Sequence, residues 1–221
     1  MVKNSINFVF QSTFYMKKEQ DYRRDIAEIR NLMERSAKFL ALSGWAGVMA
    51  GIYALIGSFV AYRFLNFNQV GYESSQETVS PDMTRSIFMI GLSVLLLTLG
   101  TGFLLSFRRA RKMREPFWNG GTRRVIQLMG MPLLAGGFLL LLFLWQGSLH
   151  LLVPVSLIFY GLAIYNAGHF SYRELQYLGI TEALLGMMAA LLPTYGLAIW
   201  ATGFGLLHIV YGIYIYMRHQ Q

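Results

Sequence analysis

The fold of this chain is decided by residues 171–217, SYRELQYLGITEALLGMMAALLPTYGLAIWATGFGLLHIVYGIYIYM. Two apolar runs flank the turn PTYG at 193–196, which predicts two membrane-spanning helices joined as a hairpin. Each run carries one ionisable side chain, Glu182 in the first and His208 in the second. Both lie about 16–18 Å from the turn, since a helix rises about 1.5 Å per residue. We therefore expect them at the same depth, near the middle of a hydrocarbon layer about 30 Å thick.

The composition of the whole chain is that of a polytopic membrane protein. Of its 221 residues, 55% are hydrophobic and only 14% are charged, against about 25% charged in an average soluble domain. The chain contains no cysteine, which excludes disulfides, cysteine metal sites and thiol catalysis. Residues 1–30 do not resemble a cleaved signal peptide, because charges interrupt any apolar core there.

The charge-free stretches predict an all-α membrane bundle of six transmembrane helices with both termini in the cytoplasm. The predicted spans are 39–62, 86–107, 125–145, 150–169, 172–192 and 197–217, followed by a tail at 218–221. This arrangement puts all but two of the 19 Lys and Arg residues on the cytoplasmic side, the exceptions being Arg63 and Arg85. The positive-inside rule accounts for such a bias, so the net charge of +8 points to the lipid bilayer as partner and not to nucleic acid.

A cytoplasmic arm at 1–38 is predicted to precede the first span, with an amphipathic helix over 17–38. Its apolar stripe recurs at spacings of four and three residues, at Tyr22, Ile26, Ile29, Met33 and Ala37. Such a helix is suited to dimerisation or to docking a partner. The alternative is a helix that lies on lipid headgroups or packs on the protein's own loops.

The first span carries a GxxxG motif at Gly47 and Gly51. Small residues mark packing faces in lipid because they allow two helix backbones to approach closely. The motif therefore predicts either packing within the chain or a homo-oligomer.

Glu182 and His208 are the candidate functional site. An ionisable residue at mid-membrane is unfavourable by about 2.5–3.5 kcal/mol on insertion scales, so it usually faces the bundle interior and has a partner. The capping-box pattern of Ser171 and Glu174 starts the fifth span early enough to place Glu182 at that depth.

Three further side chains are expected to join the pair toward the cytoplasmic side: Asn166, Tyr165 and Tyr211. The functional hypothesis is a proton-responsive or cation-handling polar pocket between spans four, five and six. The alternatives are a Glu-His clip that only locks the hairpin, and two side chains on different faces that do not touch.

The sequence argues against haem, metal and hydrolase sites. No two histidines lie at like depth, which disfavours haem, and no zinc-type spacing is present, so we expect no metal and no cofactor. There is no GxSxG motif and no pair of intramembrane aspartates. The chain is therefore expected not to be an enzyme.

Two segments carry a resemblance to known proteins: ERSAKFLALSGWAGVMAGIYALIGSFVAY at 34–62 and YGLAIYNAGHFSYRELQYLGITEALLGMMAALLPTYGLAIWATGFGLLHIVYGIYIY at 160–216. They resemble an uncharacterised family of bacterial polytopic inner-membrane proteins, with no assigned activity. The Pro-x-x-Gly turn before a glycine-rich span is also similar to HdeD-like six-span membrane proteins. The resemblance implies a bacterial inner-membrane location. The expected function is proton-linked solute handling or sensing, and the alternative is a scaffolding protein that self-associates or docks a partner through its N-terminal helix.

Overall fold

The computed structural model describes residues 22, 26, 44–65, 81–113, 118, 120–169 and 173–219. Over these residues the chain is almost entirely helical and has no strand. Five long helices come first: α1 (Gly44–Leu65), α2 (Pro81–Met113), α3 (Gly120–Gln146), α4 (Leu152–Gly168) and α5 (Arg173–Leu191). The prediction of an all-helical protein is thus confirmed for the part of the chain that the structure describes.

The last helical stretch, called the C-terminal run (Pro193–Arg218) below, changes its winding three times. A 3₁₀ turn at Pro193–Tyr195 leads into α6 (Gly196–Trp200) and then into a π-helical segment at Ala201–Leu207. The α-helical winding resumes in α7 (His208–His219). His208 therefore lies at the junction where the π winding ends.

Five of these stretches are long and apolar enough to cross a membrane. They are α1, α2, α3, α4 with the 3₁₀ turn before it, and the C-terminal run. This finding indicates a multi-pass membrane protein. The remaining predicted span, the fifth at 172–192, corresponds to α5, which is 19 residues long but less apolar, because it contains Arg173, Glu174 and Glu182.

Helix α2 is longer than the predicted span at 86–107. It begins at Pro81, where the missing proline N–H is harmless because the first turn of a helix has no carbonyl to bond it. At the other end it continues through Arg111 and Lys112 to Met113. Charged residues therefore follow the apolar span without ending the helix, since a helix can extend beyond the hydrocarbon into water.

The connection before α4 and the connection after α5 each have a clear local cause. Helix α3 ends at Gln146 and is followed by Gly147, which has a left-handed φ of 73°. The N–H of Ser148 bonds the Phe143 carbonyl at 2.9 Å, and the N–H of Gly147 bonds the Leu144 carbonyl at 3.2 Å. This pattern is a Schellman motif, which glycine favours because it has no Cβ.

The turn predicted at 193–196 is present at the end of α5. Leu192 leaves the helix with φ −127° and Pro193 starts the 3₁₀ turn. The N–H of Tyr195 closes this turn on the Leu192 carbonyl at 3.0 Å. The turn reverses the chain, so α5 and the C-terminal run form the expected hairpin.

The helices pack through close backbone contacts at glycine. Between α4 and α5, a Cβ added at Gly161 or at Gly179 would lie 2.6 Å from the carbonyl oxygen of the other residue. Between α1 and the C-terminal run, a Cβ at Gly51 would lie 2.5 Å from the Gly205 carbonyl oxygen. The C-terminal run is therefore enclosed by α1 on one side and by α4 and α5 on the other.

Helices α2 and α3 take the outer places, since α2 packs mainly on α1 and α3 mainly on α4. Few of their side chains are buried, and large apolar residues such as Leu134 and Phe103 are exposed. Exposed apolar side chains on membrane-length helices are suited to contact with lipid tails.

Two sequence predictions fall largely outside the described residues. Of the amphipathic helix at 17–38, Tyr22 and Ile26 are described; both are helical and exposed. Ser171, the first residue of the predicted capping box, also lies outside.

Candidate functional site

Three polar side chains meet in the middle of the bundle, each from a different helical stretch. Glu182 lies nine residues from either end of α5, and Tyr160 lies eight residues from either end of α4. His208 follows the π-helical segment of the C-terminal run. We call these three residues the central triad.

The imidazole of His208 is held at both nitrogens. Nδ1 is 3.0 Å from the Gly203 carbonyl oxygen, and Nε2 is 2.7 Å from the Tyr160 hydroxyl. Because a carbonyl oxygen only accepts, Nδ1 must carry the hydrogen. In the neutral ring, Nε2 then accepts the hydrogen bond that the Tyr160 hydroxyl donates.

Glu182 is next to this histidine but is not hydrogen-bonded to it. Its Oε1 is 3.4 Å from His208 Nδ1, which is within ion-pair range but longer than the roughly 2.7–2.9 Å of a charge-assisted hydrogen bond. The Nδ1 hydrogen is directed at Gly203 instead. Neither carboxyl oxygen of Glu182 has a hydrogen-bond partner within the described part of the chain.

The carboxyl group is also fully enclosed. Glu182 has 0% of its surface exposed and His208 has 5%. The α-carbon of Gly203 covers Oε2, since an added Cβ would lie 2.6 Å from that oxygen. A buried polar group without a partner destabilises a fold by about 1–3 kcal/mol, and more when it is charged.

An aromatic and aliphatic wall covers the triad. The Phe204 ring lies 4.7 Å from the Tyr160 ring, 5.9 Å from the His208 ring and 5.0 Å from the Trp200 ring, measured between centroids. Leu157, which is completely buried, also contacts Gly203. Such a wall excludes water and lowers the local dielectric, so electrostatic interactions inside it are strong.

The structure brings some of the predicted site residues together and separates others. Glu182 and His208 are in contact, whereas Tyr165 packs edge-to-face on the ring of His169 at 4.9 Å. The Nδ1 of His169 donates to the Tyr165 carbonyl at 3.1 Å. The Asn166 carbonyl accepts the backbone N–H of His169 at 3.3 Å. Tyr165 and Asn166 thus lie toward the C-terminal end of α4, beyond the triad.

Tyr211 lies one turn after His208 and, like Tyr160 of the triad, packs against the buried cluster of Ile164, Leu175, Leu178 and Ile215. The residue that completes the site is Tyr160, which the sequence reasoning missed. The signal was available, because Tyr160 is at the centre of the predicted fourth span at 150–169. Counting residues along the predicted spans, which paired Glu182 with His208, identifies Tyr160 equally well.

Gly47 and Gly51, the residues of the GxxxG motif, face the C-terminal run of the same chain. A Cβ at Gly47 would lie 3.3 Å from the His208 carbonyl oxygen and 3.3 Å from the α-carbon of Gly212. The motif therefore serves packing within the chain, and this face of α1 is occupied.

A second polar contact lies at the far end of the hairpin. Arg218 Nη1 donates to Glu174 Oε1 at 2.9 Å and also to the Tyr214 hydroxyl. The arginine side chain is 56% exposed, so this contact is at the surface. It joins the start of α5 to the end of α7.

No group of three or more metal-ligating side chains occurs within the described ranges. Comparison of the chain with protein-family models, curated proteins and solved structures found no match.

Proposed function

We propose that this chain is a non-enzymatic, six-span protein of the bacterial inner membrane whose central triad binds and releases a proton in solute handling or sensing. In this proposal Glu182 is the group that takes up the proton, and His208 is its neighbour and exchange partner. Tyr160 orients the imidazole through Nε2. The lipid bilayer is the expected environment, with both chain termini on the cytoplasmic side.

The observation that carries the proposal is the state of the Glu182 carboxyl group. A clip that only locked the hairpin would place a donor on the carboxylate at hydrogen-bond distance. Glu182 instead has 0% exposure and no hydrogen-bond partner among the described residues, while both nitrogens of His208 are bonded elsewhere. An unsatisfied buried carboxyl at mid-membrane is unfavourable for stability, and such groups in membrane proteins usually serve function.

The six-span topology is supported by how α5 is connected. Helix α5 is about 28 Å long at about 1.5 Å per residue, close to the thickness of the hydrocarbon layer. It packs along α4, and the C-terminal run follows it after one short turn. A helix that packs along α4 crosses the membrane together with it.

A second function is favoured by the enclosure of the triad. Because Glu182 and His208 are almost inaccessible, the bundle is also suited to a scaffold that has no transport path. In that case the Glu-His contact would only stabilise the hairpin, and the N-terminal arm would self-associate or dock a partner.

Proton movement and proton binding distinguish these functions. The purified protein would be reconstituted into liposomes of phosphatidylethanolamine and phosphatidylglycerol, and proton entry after an external acid pulse would be followed with a trapped pH dye. In parallel, infrared difference spectra across a pH titration would follow the carboxyl band of Glu182. The test set is the wild type, Glu182→Gln and His208→Phe, with Glu174→Gln as a matched control outside the triad.

Solute handling predicts proton entry above that of empty liposomes, lost in Glu182→Gln and retained in Glu174→Gln. Sensing predicts no flux but a titrating carboxyl band that is absent from Glu182→Gln. A wild type with neither flux nor titration would reject the proposal and favour the scaffold.

A further inference from the structure

The π-helical segment Ala201–Leu207 lies directly against the central triad. Its two glycines contact different neighbours: a Cβ at Gly203 would lie 2.6 Å from Glu182 Oε2, and a Cβ at Gly205 would lie 2.5 Å from Leu55 Cδ2 of α1. π-helical turns inside α-helices are rare and occur frequently at functional sites. This segment therefore links α1 to the site through backbone contacts.

The winding of this segment determines which group accepts the Nδ1 hydrogen of His208. The backbone N–H of His208 bonds the Gly205 carbonyl, and its side-chain Nδ1 bonds the Gly203 carbonyl at 3.0 Å. Glu182 Oε1 is the next acceptor, at 3.4 Å. The imidazole thus lies between two oxygens, and the nearer one, the peptide oxygen of Gly203, holds the hydrogen.

An α-helical winding would change the acceptor of the Nδ1 hydrogen. In an α-helix each carbonyl accepts the N–H of the residue four positions later. The Gly203 carbonyl would then accept the backbone N–H of Leu207 and would be withdrawn from the imidazole. Glu182 Oε1, which is 3.4 Å away and has no hydrogen-bond partner among the described residues, would then be the nearest unoccupied acceptor.

We propose that Ala201–Leu207 is a two-state element that regulates the central triad. In the π winding His208 donates to Gly203, and in the α winding it donates to Glu182. This inference rests on the proposed function, because it describes the control of the same carboxyl group.

The groups around His208 fit this role. Tyr160 of α4 holds Nε2 while Nδ1 exchanges acceptors, and Glu182 of α5 is the alternative acceptor. From α1, Gly47 approaches the His208 carbonyl and Gly51 approaches the Gly205 carbonyl. Helix α1 therefore lies directly against the backbone of the segment and of His208.

Deleting one residue tests the proposal, because a π turn is an α-helix with one residue inserted. Leu206 is exposed, and its removal makes Gly203 the residue four positions before the histidine. The Gly203 carbonyl then accepts the backbone N–H of His208. The matched control is Leu206→Ala, which changes the same exposed position without changing the register.

The measured quantity is the infrared C=O stretch of Glu182 at acidic pH, isolated by subtracting the spectrum of Glu182→Gln in the same background. The deletion variant is expected to shift this band to lower frequency, since a carbonyl that accepts a hydrogen bond absorbs lower. Leu206→Ala is expected to match the wild type. An unchanged band in a deletion variant with native helix content would overturn the proposal.

If the deletion variant does not fold, ¹⁵N-histidine NMR of the wild type at alkaline pH tests the hydrogen on Nδ1 that both windings require. The His208 signals are those absent from His208→Phe, and they should report a hydrogen on Nδ1 and none on Nε2. The opposite tautomer would overturn the proposal. If the band does not shift but Glu182 still takes up a proton, only the two-state proposal is wrong. If the wild type shows neither proton uptake nor flux, the proposed function is wrong.

Discussion

Replacing Gly203 by alanine inserts a methyl group into the contact that encloses Glu182. The new Cβ would lie 2.6 Å from Glu182 Oε2 and 2.8 Å from Leu157 Cδ2. Both neighbours are completely buried, so neither side chain can move out into open space. Overpacking of this kind destabilises a fold by about 1–3 kcal/mol. For a chain of this size each kcal/mol corresponds to about 2–4 °C in the unfolding midpoint.

The assay is thermal unfolding of the detergent-purified protein, followed by helical circular dichroism. Gly137→Ala is the matched control, because an added Cβ there has nothing within 4 Å and alanine favours the helix by up to about 1 kcal/mol. A double-mutant cycle then assigns the effect to the carboxyl group. In a Glu182→Ala background, Gly203→Ala should destabilise clearly less, because the space left by the carboxyl group lets the methyl group and the end of Leu157 adjust.

Two results would refute this reasoning. One is a Gly203→Ala protein that unfolds at the same temperature as Gly137→Ala. The other is an equal loss of stability with and without the Glu182 side chain, which would mean that the methyl group meets something other than the carboxyl.

Three further substitutions have expected outcomes. Tyr160→Phe removes the hydroxyl that bonds Nε2 of the histidine and should lower stability by about 0.5–1.5 kcal/mol, measured by the same unfolding assay. An unchanged midpoint would contradict a stabilising bond between Tyr160 and His208. Gly51→Ala should destabilise more than Gly205→Ala, because the methyl group at 51 meets a backbone oxygen and the methyl group at 205 meets the movable end of Leu55. The reverse order of unfolding midpoints would contradict the packing of α1. Glu174→Gln should change stability by no more than about 1 kcal/mol, since its ion pair is exposed, and a larger loss would contradict a surface role for that contact.

The sequence was sufficient to pair two of the three side chains of the triad. Counting from the turn at Pro193 assumes only a constant rise per residue, and Glu182 and His208 are in fact in contact. Tyr160 was missed because tyrosine is common in membrane helices, so the residue type alone does not mark a site. Its role depends on which way the helix faces, which the small residues on α4 and α5 determine through Gly161 and Gly179.

The π winding was beyond the reach of sequence reasoning. Residues 201–207, ATGFGLL, are compatible with α-helix by composition, and nothing in their periodicity indicates an extra residue. The segment is packed on both sides, by the carboxyl group against Gly203 and by Leu55 against Gly205, and its composition does not reveal these contacts. Whether Glu182 is a clip or an unsatisfied carboxyl depends on two distances: His208 Nδ1 is 3.0 Å from the Gly203 carbonyl oxygen and 3.4 Å from Glu182 Oε1. A difference of this size requires coordinates.

The contact between α1 and the C-terminal run also has a consequence for biogenesis. Gly51 and Gly205 touch through their backbones, yet the ribosome makes the second long after the first. At about 5–20 residues per second, synthesis of the intervening chain takes roughly 8–30 s. During that interval the glycine face of α1 is in the bilayer without its native neighbour, so the nascent chain depends on lipid or the insertion machinery to cover it.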